Sequence, residues 1–256
     1  MPDFEWRISS APVPYLEALA EMERRVAAIE AGNEPELFWL LEHPPTYTAG
    51  TSAETSELLN AGGFPVYETG RGGRYTYHGP GQRVIYALCD LRQRGRDVRK
   101  HVWRLEEWII RTVAAFGLKG ERREGRVGIW VTQETKESKQ FPSRLREGLG
   151  EGSLNKHRSI GTSPPLIPPA SGGKICGHEV KIAAIGVRVR RWVTYHGLAL
   201  NVNPNLTHFN GIVPCGLPDY GVTSLHALGV KAAMQAVDEE FRRQVNGLFS
   251  PQTPLP

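Results

Sequence analysis

The chain has 256 residues, of which 40% are hydrophobic and 23% charged, and its formal net charge is +4. This is an ordinary soluble composition, long enough for one large α/β domain or two small ones with a proper core. The mild positive charge suits an acidic partner but lacks the clustered Lys/Arg of a nucleic-acid binder, and no apolar run reaches the roughly 18 residues of a membrane span.

The segment MPDFEWRISS has neither a basic n-region nor an apolar h-region, so no signal peptide is expected. The three cysteines, Cys89, Cys176 and Cys215, are odd in number and lack CxxC spacing. A disulfide framework and a structural zinc site are therefore not expected, and a reducing cytoplasm is the natural location.

Val13 to Ala31 reads as an amphipathic helix, with Pro14 in its first turn and Leu16, Leu19, Met22, Val26 and Ile29 on one face. Leu37 to Leu41 is a short continuous apolar run with the length of a buried strand, ended by Pro44-Pro45. Thr46 to Thr69 reads as loop-rich, with one extended piece at Pro65 to Tyr67. In Arg71 to Gln82, RGGRYTYHGPGQ, turn-formers bracket the β-prone Tyr75-Thr76-Tyr77. Arg83 to Leu91 is again strand-like.

Asp97 is a suitable N-cap for a helix reaching Phe116, with Val102, Leu105, Ile109, Val113 and Phe116 on one face and Gly117 as the stop. Val127 to Thr132 reads as a strand. From Gln133 to Gly173 the chain is rich in Ser, Pro, Gly and charge without any sustained period, which reads as a flexible insertion within one domain spanning 1–256. Strands resume at Lys181, and a helix from Val230 to Phe249 closes the chain, with Val237, Phe241, Val245 and Leu248 inward. Strand-rich middle and peripheral helices predict an α+β fold, a mixed or mostly antiparallel sheet flanked by helices.

The stretch from Lys181 to Gly216 holds one lysine, one cysteine, and no aspartate or glutamate. Cys215 sits in Val213-Pro214-Cys215-Gly216, where the proline fixes the approach and the glycine leaves room beside the sulfur. A buried small hydrophobe is the alternative for any free cysteine, and it fits Cys89, inside an apolar strand, better than Cys215. A thiol with a free pKa of about 8.5 needs a helper to act as a nucleophile. His196, His208 and His226 are candidates, and so is Lys181, whose apolar strand would desolvate it into a base. A solvated strand-end lysine is the competing reading. The RGGRYTYHGPGQ segment lets backbone approach a ligand, yet it is neither a Walker loop nor a GxGxxG fingerprint. A tight hairpin corner explains its glycines, though less well the placement of Arg71, Arg74 and His78.

RGGRYTYHGPGQ, KIAAIGVRVRRWVTYHGLALNV and IVPCG, in this order and with EHPPTYTAG at Glu42 to Gly50, resemble the lipoyl(octanoyl) transferases. The resemblance runs from about Leu37 to Leu228, interrupted by the insertion. It implies the fold shared by biotin and lipoate protein ligases. It also implies transfer of an octanoyl group from octanoyl-acyl carrier protein to the lysine of a lipoyl domain, as in the 2-oxoacid dehydrogenases and the glycine cleavage H protein. No cofactor and no metal are implied. Cys215 would carry the acyl thioester, with Lys181 tuning the thiol and handling protons. Substrate contacts would fall on Arg71, Gly72, Gly73, Arg74, Tyr75, Thr76, Tyr77 and His78, on Ala184, Ile185 and Gly186, and on Gly197, Leu198 and Ala199. Lys174-Ile175-Cys176 also resembles the family's Lys-Ile motif, but Lys181 leads directly into the apolar strand and is preferred.

The chemistry is self-consistent. Thioester exchange onto a thiolate is nearly isoenergetic and needs no ATP, and amine attack then needs a proton acceptor. Backbone N–H groups near Gly216 or in the Gly72-Gly73 loop are candidate oxyanion donors. Three other readings compete. An ATP-dependent lipoate or biotin ligase would need no thiol, a silent binder of acylated carrier proteins would not transfer, and a cysteine hydrolase would want a carboxylate to orient its histidine.

Overall fold

A computed structural model of the chain describes residues 4–134, 177–216, 220–245 and 247–249. The chain divides into two compact units, Met1–Gln133 with Glu179–Pro256, and Glu134–His178. The sheets, helices and cavity below belong to the first unit, apart from the end residues of two strands. Beyond its first two residues, the expected insertion at 133–173 lies outside the described residues, as do Lys174 and Cys176.

The elements in order are β1 (Glu5–Ile8), α1 (Tyr15–Glu30), β2 (Leu37–Leu41), β3 (Thr46–Ala49), β4 (Val66–Glu68), β5 (Thr76–His78), β6 (Gln82–Leu88), α2 (Val98–Ala115), β7 (Glu121–Arg123), β8 (Arg126–Glu134), β9 (Gly177–Arg190), β10 (Val193–Asn201), β11 (Gly221–Val222) and α3 (Met234–Gln244). The large sheet runs β1-β2-β6-β10-β9-β8-β7, with β11 pairing with β9, and a small sheet runs β4-β3-β5. Pairing is parallel for β1–β2 and β9–β11 and antiparallel for β2–β6, β6–β10 and β9–β10. The expected α+β class with a mixed sheet is therefore observed.

Strand alternation divides the core between the two faces of the sheet. Phe38, Leu40, Ile85, Ala87, Leu198 and Leu200 pack with Leu105, Trp108, Ile109 and Val113 of α2 and Val237 and Phe241 of α3. Leu37, Trp39, Leu41, Val84, Tyr86 and Ala199 pack with Ala18, Met22, Val26 and Ile29 of α1. Because both faces are covered, β2 reads as an unbroken apolar run. A third cluster, including Tyr47, Tyr75, Tyr77, Phe209 and Ile212, holds the small sheet in place.

Asp97 caps α2 as expected, its carboxylate accepting from the Lys100 N–H at 2.9 Å. Three expectations need correction, and strands also form where none was expected. Thr46 to Ala49 is a fully buried strand, paired with β4 and β5, where a loop was expected. Glu121 to Arg123 also forms a strand, β7, which its charged sequence conceals. Leu16 is 57% exposed, because Tyr15 takes the inward position at the start of α1. The last helix begins at Met234, not Val230. Gly229, at φ 87°, ends a preceding 3-10 turn, and Ala233 is extended.

Candidate active site

A cavity of about 410 Å³ lies over β9, β10 and β6, on the sheet face that also carries α1. Its floor is low because small residues face one another across the strands. Gly197 pairs with Gly186 and Ala199 with Ala184, while Tyr86 and Val84 flank them on β6. His196 adopts a left-handed backbone, φ 62°, just before Gly197. This kink brings Gly197 so close to β6 that a Cβ there would lie 3.1 Å from the Ala87 nitrogen and closer still to the Ile85 oxygen. Only glycine fits that approach.

The roof is the segment following Gly70. Gly72 N–H donates to the Val187 carbonyl at 3.0 Å, so the loop rests on β9. A Cβ at Gly186 would sit 3.0 Å from Arg71 Cδ and 3.2 Å from Gly72 O. Arg71 is buried and braces the loop from within, its guanidinium donating to Thr48 O, Thr48 Oγ1, Arg74 O and Gly72 O at 2.7, 2.8, 3.1 and 3.0 Å. Arg74 forms ion pairs with Glu54 and the buried Glu57.

Lys181 also lines the cavity, 7% exposed, with Nζ donating to the Val127 carbonyl at 2.7 Å and 5.5 Å from the Trp130 ring centroid. Its stem passes over Gly128, at φ 118°, where a Cβ would lie 2.9 Å from Nζ and closer still to Cε. The backbone of Cys215 forms part of a 3-10 turn, Pro214–Gly216, and Gly216 lines the same cavity as Lys181. The Cys215 side chain itself is outside the described groups. The turn is anchored by Val213 N–H, which donates to Glu57 O at 2.7 Å, and by Gly216, whose missing Cβ leaves room for the Arg74–Glu57 pair.

Tyr15, His78, Tyr86 and His196 give the lining a group of polar rings, and His43 packs against Tyr15, His78 and Tyr86. His43 Nδ1 lies 2.6 Å from the Val13 carbonyl, so it carries the proton, and Nε2 accepts from Tyr86 Oη at 2.6 Å. His78 Nδ1 bonds Gln82 Oε1 at 2.7 Å by the same logic, and Tyr15 Oη lies 3.3 Å from His196 Nε2. Burial holds His43 down at about 4, and burial with the neighbouring His43 holds His78 at about 3. Burial and the Arg71 and Arg188 charges hold His196 at about 3. Burial pushes the Tyr15 phenol up to about 12 and Tyr86 well above its ordinary value. All five rings are neutral at neutral pH.

Of the residues expected at the site, the cavity brings together Lys181, Arg71, Gly73, Arg74, Thr76, His78, Ala184, Ile185, Gly186, Gly197, Leu198 and Ala199. It is not lined by Gly72, Tyr75 or Tyr77. Gly72 holds the roof through its backbone, and Tyr75 and Tyr77 pack in the third apolar cluster, with Tyr77 Oη 2.7 Å from His208 Nδ1. His208 and His226 are turned to other partners, His226 Nε2 toward the Ala232 carbonyl at 3.0 Å. Cys89 is buried in the core, its thiol pushed up by burial. Sequence reading missed Tyr15, His43, Tyr86, Glu57 and Gly128. The His43-Pro44 pair was visible, but nothing local signals the others. Among the described residues no His/Cys/Asp/Glu group could hold a metal ion, and no helix is long and apolar enough to cross a membrane.

Known proteins fit this arrangement. The octanoyltransferase of Paramagnetospirillum magneticum is 56% identical over 234 residues, which are 91% of this chain and 91% of that protein. The octanoyltransferase of Dinoroseobacter shibae is 49% identical over 247 residues, 96% of this chain and 97% of that one. The solved structure of a bi-partite lipoate protein ligase and its E2 lipoyl domain from Thermoplasma acidophilum matches with a TM-score of 0.59, covering 96% of this chain and 84% of that chain at 11% identity; it shares the fold. Residues 14–246 match the family model described as the lipoyl protein ligase A/B catalytic domain, and it is to this family that the chain belongs.

Proposed function

We propose that the chain is an octanoyltransferase that carries the acyl group as a thioester on Cys215 and delivers it to a lysine amine of a lipoyl domain. The observation that carries the proposal is the convergence of the buried Lys181 and the Pro214–Gly216 turn on one cavity with a low apolar floor. Relatives about half identical over nearly the whole chain, named octanoyltransferases, support it. The family resemblance and the chain's net positive charge suit acyl carrier protein, an acidic partner, as donor. On this reading residues 1–256 form one catalytic domain interrupted by the insertion.

In the first step the Cys215 thiolate attacks the donor thioester carbonyl, the tetrahedral intermediate collapses, and the carrier's thiolate leaves and is protonated. In the second the acceptor amine attacks the acyl-cysteine, loses a proton, and expels the Cys215 thiolate. Lys181, which lines the same cavity as Gly216, is the group assigned on this reading to partner the thiol and take part in these proton transfers. Gly72 N–H already donates to Val187 O and Gly216 N–H to Val213 O at 3.1 Å. Gly73, at φ 91° on the cavity wall, is therefore the loop's better oxyanion donor. ATP has no role in this scheme, which separates it from ligase chemistry.

Intact-mass spectrometry tests both half-reactions. The protein mixed with octanoyl-carrier protein, without ATP, gains one octanoyl group, and apo lipoyl domain removes it. Cys215→Ala forms no adduct and Lys181→Ala turns over far more slowly. An adduct persisting on Cys215→Ala, or a strict need for ATP, would overturn the assignment.

A further inference from the structure

Taken together with the acyl-transfer reading on which it rests, we infer that a second cavity, of about 590 Å³, holds the uncharged pantetheine arm on which a carrier protein presents its acyl thioester. The two cavities meet at the Pro214–Gly216 turn. Gly216 lines the first together with Lys181, whereas Val213 and Pro214 line the second. The backbone of Cys215 therefore lies between a residue of one cavity and a residue of the other. In the exchange step the Cys215 sulfur bonds to the thioester carbon and the bond from that carbon to the arm's sulfur breaks. The departing thiolate takes the proton that the cysteine gave up. At the tetrahedral carbon the alkyl chain and the departing sulfur point apart, so an acyl chain lying in the first cavity leaves the arm to the other flank of the turn.

The second cavity suits such an arm in size and chemistry. Its volume falls within the roughly 300–1,000 Å³ of small-molecule clefts. A pantetheine arm is a flexible run of methylenes, a dimethyl-bearing carbon and amide groups, without charge. Leu59, Phe209, Ile212 and Val222 give the cavity apolar surface, Asn210 and Tyr220 add polar groups for the amides, and none of the described lining residues is charged. Leu59 is 62% exposed, apolar surface that a bound arm would cover. The frame is already held in place. Leu59 and Asn60 N–H both donate to Gly211 O at 2.9 Å, and Val213 N–H donates to Glu57 O at 2.7 Å. A preformed groove orders a flexible arm without having to order itself. The acceptor lysine is matched less well, because an ammonium finds no carboxylate among these residues.

The test gives the full chain two small donors that differ only in the arm: octanoyl-pantetheine, and octanoyl-N-acetylcysteamine, which keeps the thiol end alone. Acylation of Cys215 is followed by intact mass, and the ratio of the two second-order rate constants is the readout. The parent chain prefers octanoyl-pantetheine about tenfold or more. Leu59→Ser, at an exposed position, lowers that preference roughly fivefold, and Leu59→Asp lowers it at least as far. Circular dichroism checks both folds, and Leu59→Ala replaces any variant that fails. A parent that uses the two donors equally, or Leu59 variants with a ratio within twofold of the parent's, would overturn the inference and leave the transfer reading standing. Slower transfer from the preformed octanoyl-enzyme to lipoyl domain, with an unchanged donor ratio, would give the groove to the acceptor and overturn it too. So would a parent acylated by octanoyl-carrier protein but by neither small donor, since recognition would then lie in the carrier's protein surface. A parent acylated by no donor at all overturns the transfer reading and this inference with it.

Discussion

Gly128→Ala tests the placement of Lys181 without altering either proposed reacting residue. At φ 118° the position is outside the region open to L side chains, a strain of about 1–3 kcal/mol for a non-glycine residue. The added methyl would also lie 2.6 Å from the Ala183 carbonyl oxygen and 2.9 Å from Lys181 Nζ. The lysine must yield, since the carbonyl belongs to the strand. Moving it breaks the 2.7 Å bond to Val127 O, a charge-assisted contact in a nearly buried setting worth about 1.5–3 kcal/mol. The native state can relax part of this, so a net loss of about 2–4 kcal/mol is expected, lowering Tm by roughly 5–12 °C in a chain of this size. Displacing a reacting group by about 1 Å costs on the order of 100-fold in rate. The assay pairs single-turnover acylation of Cys215, by intact mass, with a thermal melt. A variant that melts and acylates like the parent would refute the argument that Gly128 exists to seat Lys181.

Glu57→Gln should leave Tm almost unchanged yet slow acylation about tenfold, because the lost Arg74 ion pair frees the Pro214–Gly216 turn; a normal single-turnover rate would contradict this. Stability should fall as pH drops below about 6.5, since His43, His78, His101 and His196 stay neutral in the fold, at about 4, 3, 3 and 3, but protonate when unfolded. The unfolded chain binds more protons between those values and 6.5, so at pH 5.5 each histidine costs up to about 1.4 kcal/mol, and urea unfolding at pH 7.5 and 5.5 with equal midpoints would refute the assignment. Trp108→Ala, in a fully buried site whose indole N–H donates to Phe241 O at 2.7 Å, should cost about 3–5 kcal/mol by denaturant unfolding.

Elements carrying both a period and a boundary signal were readable in the sequence. Helix α2 has an apolar stripe, Asp97 before it and Gly117 after it, and the structure starts and stops it there. Strand β2 is five apolar residues bounded by polar ones and prolines, and it forms over that span. Strand β3 was hidden because Pro44-Pro45 and the glycines beyond suggest loop, whereas pairing with β4 and β5 is what makes those four residues extended. Leu16 shows the weakness of periodicity at a helix start, where one residue of phase decides which side chain is inward. The site was legible where one strand carries it, as from Lys181 to Gly186. What the sequence could not show is register. That Gly186, Gly197 and Tyr86 lie side by side, or that Lys181 crosses Gly128, depends on which strands pair and at what offset.

The two halves of the proposed reactive centre rest on different supports. Lys181 is seated by β8 through Gly128 and the Val127 carbonyl. The Cys215 turn is seated by Glu57 and Arg74, from the 3-10 turn Thr55–Glu57 and the roof loop. These supports share no residue, so independent action would make the double variant Gly128→Ala/Glu57→Gln as slow as the product of the single effects. If thiol and amine instead act as one unit, displacing either already forfeits most of what the pair supplies, and the second change adds little. The acyl-transfer scheme requires the second outcome, because Lys181 helps only a thiol held beside it. Single-turnover acylation of the parent, both single variants and the double variant completes the cycle, and multiplicative losses would show that Lys181 and the Cys215 turn contribute separately.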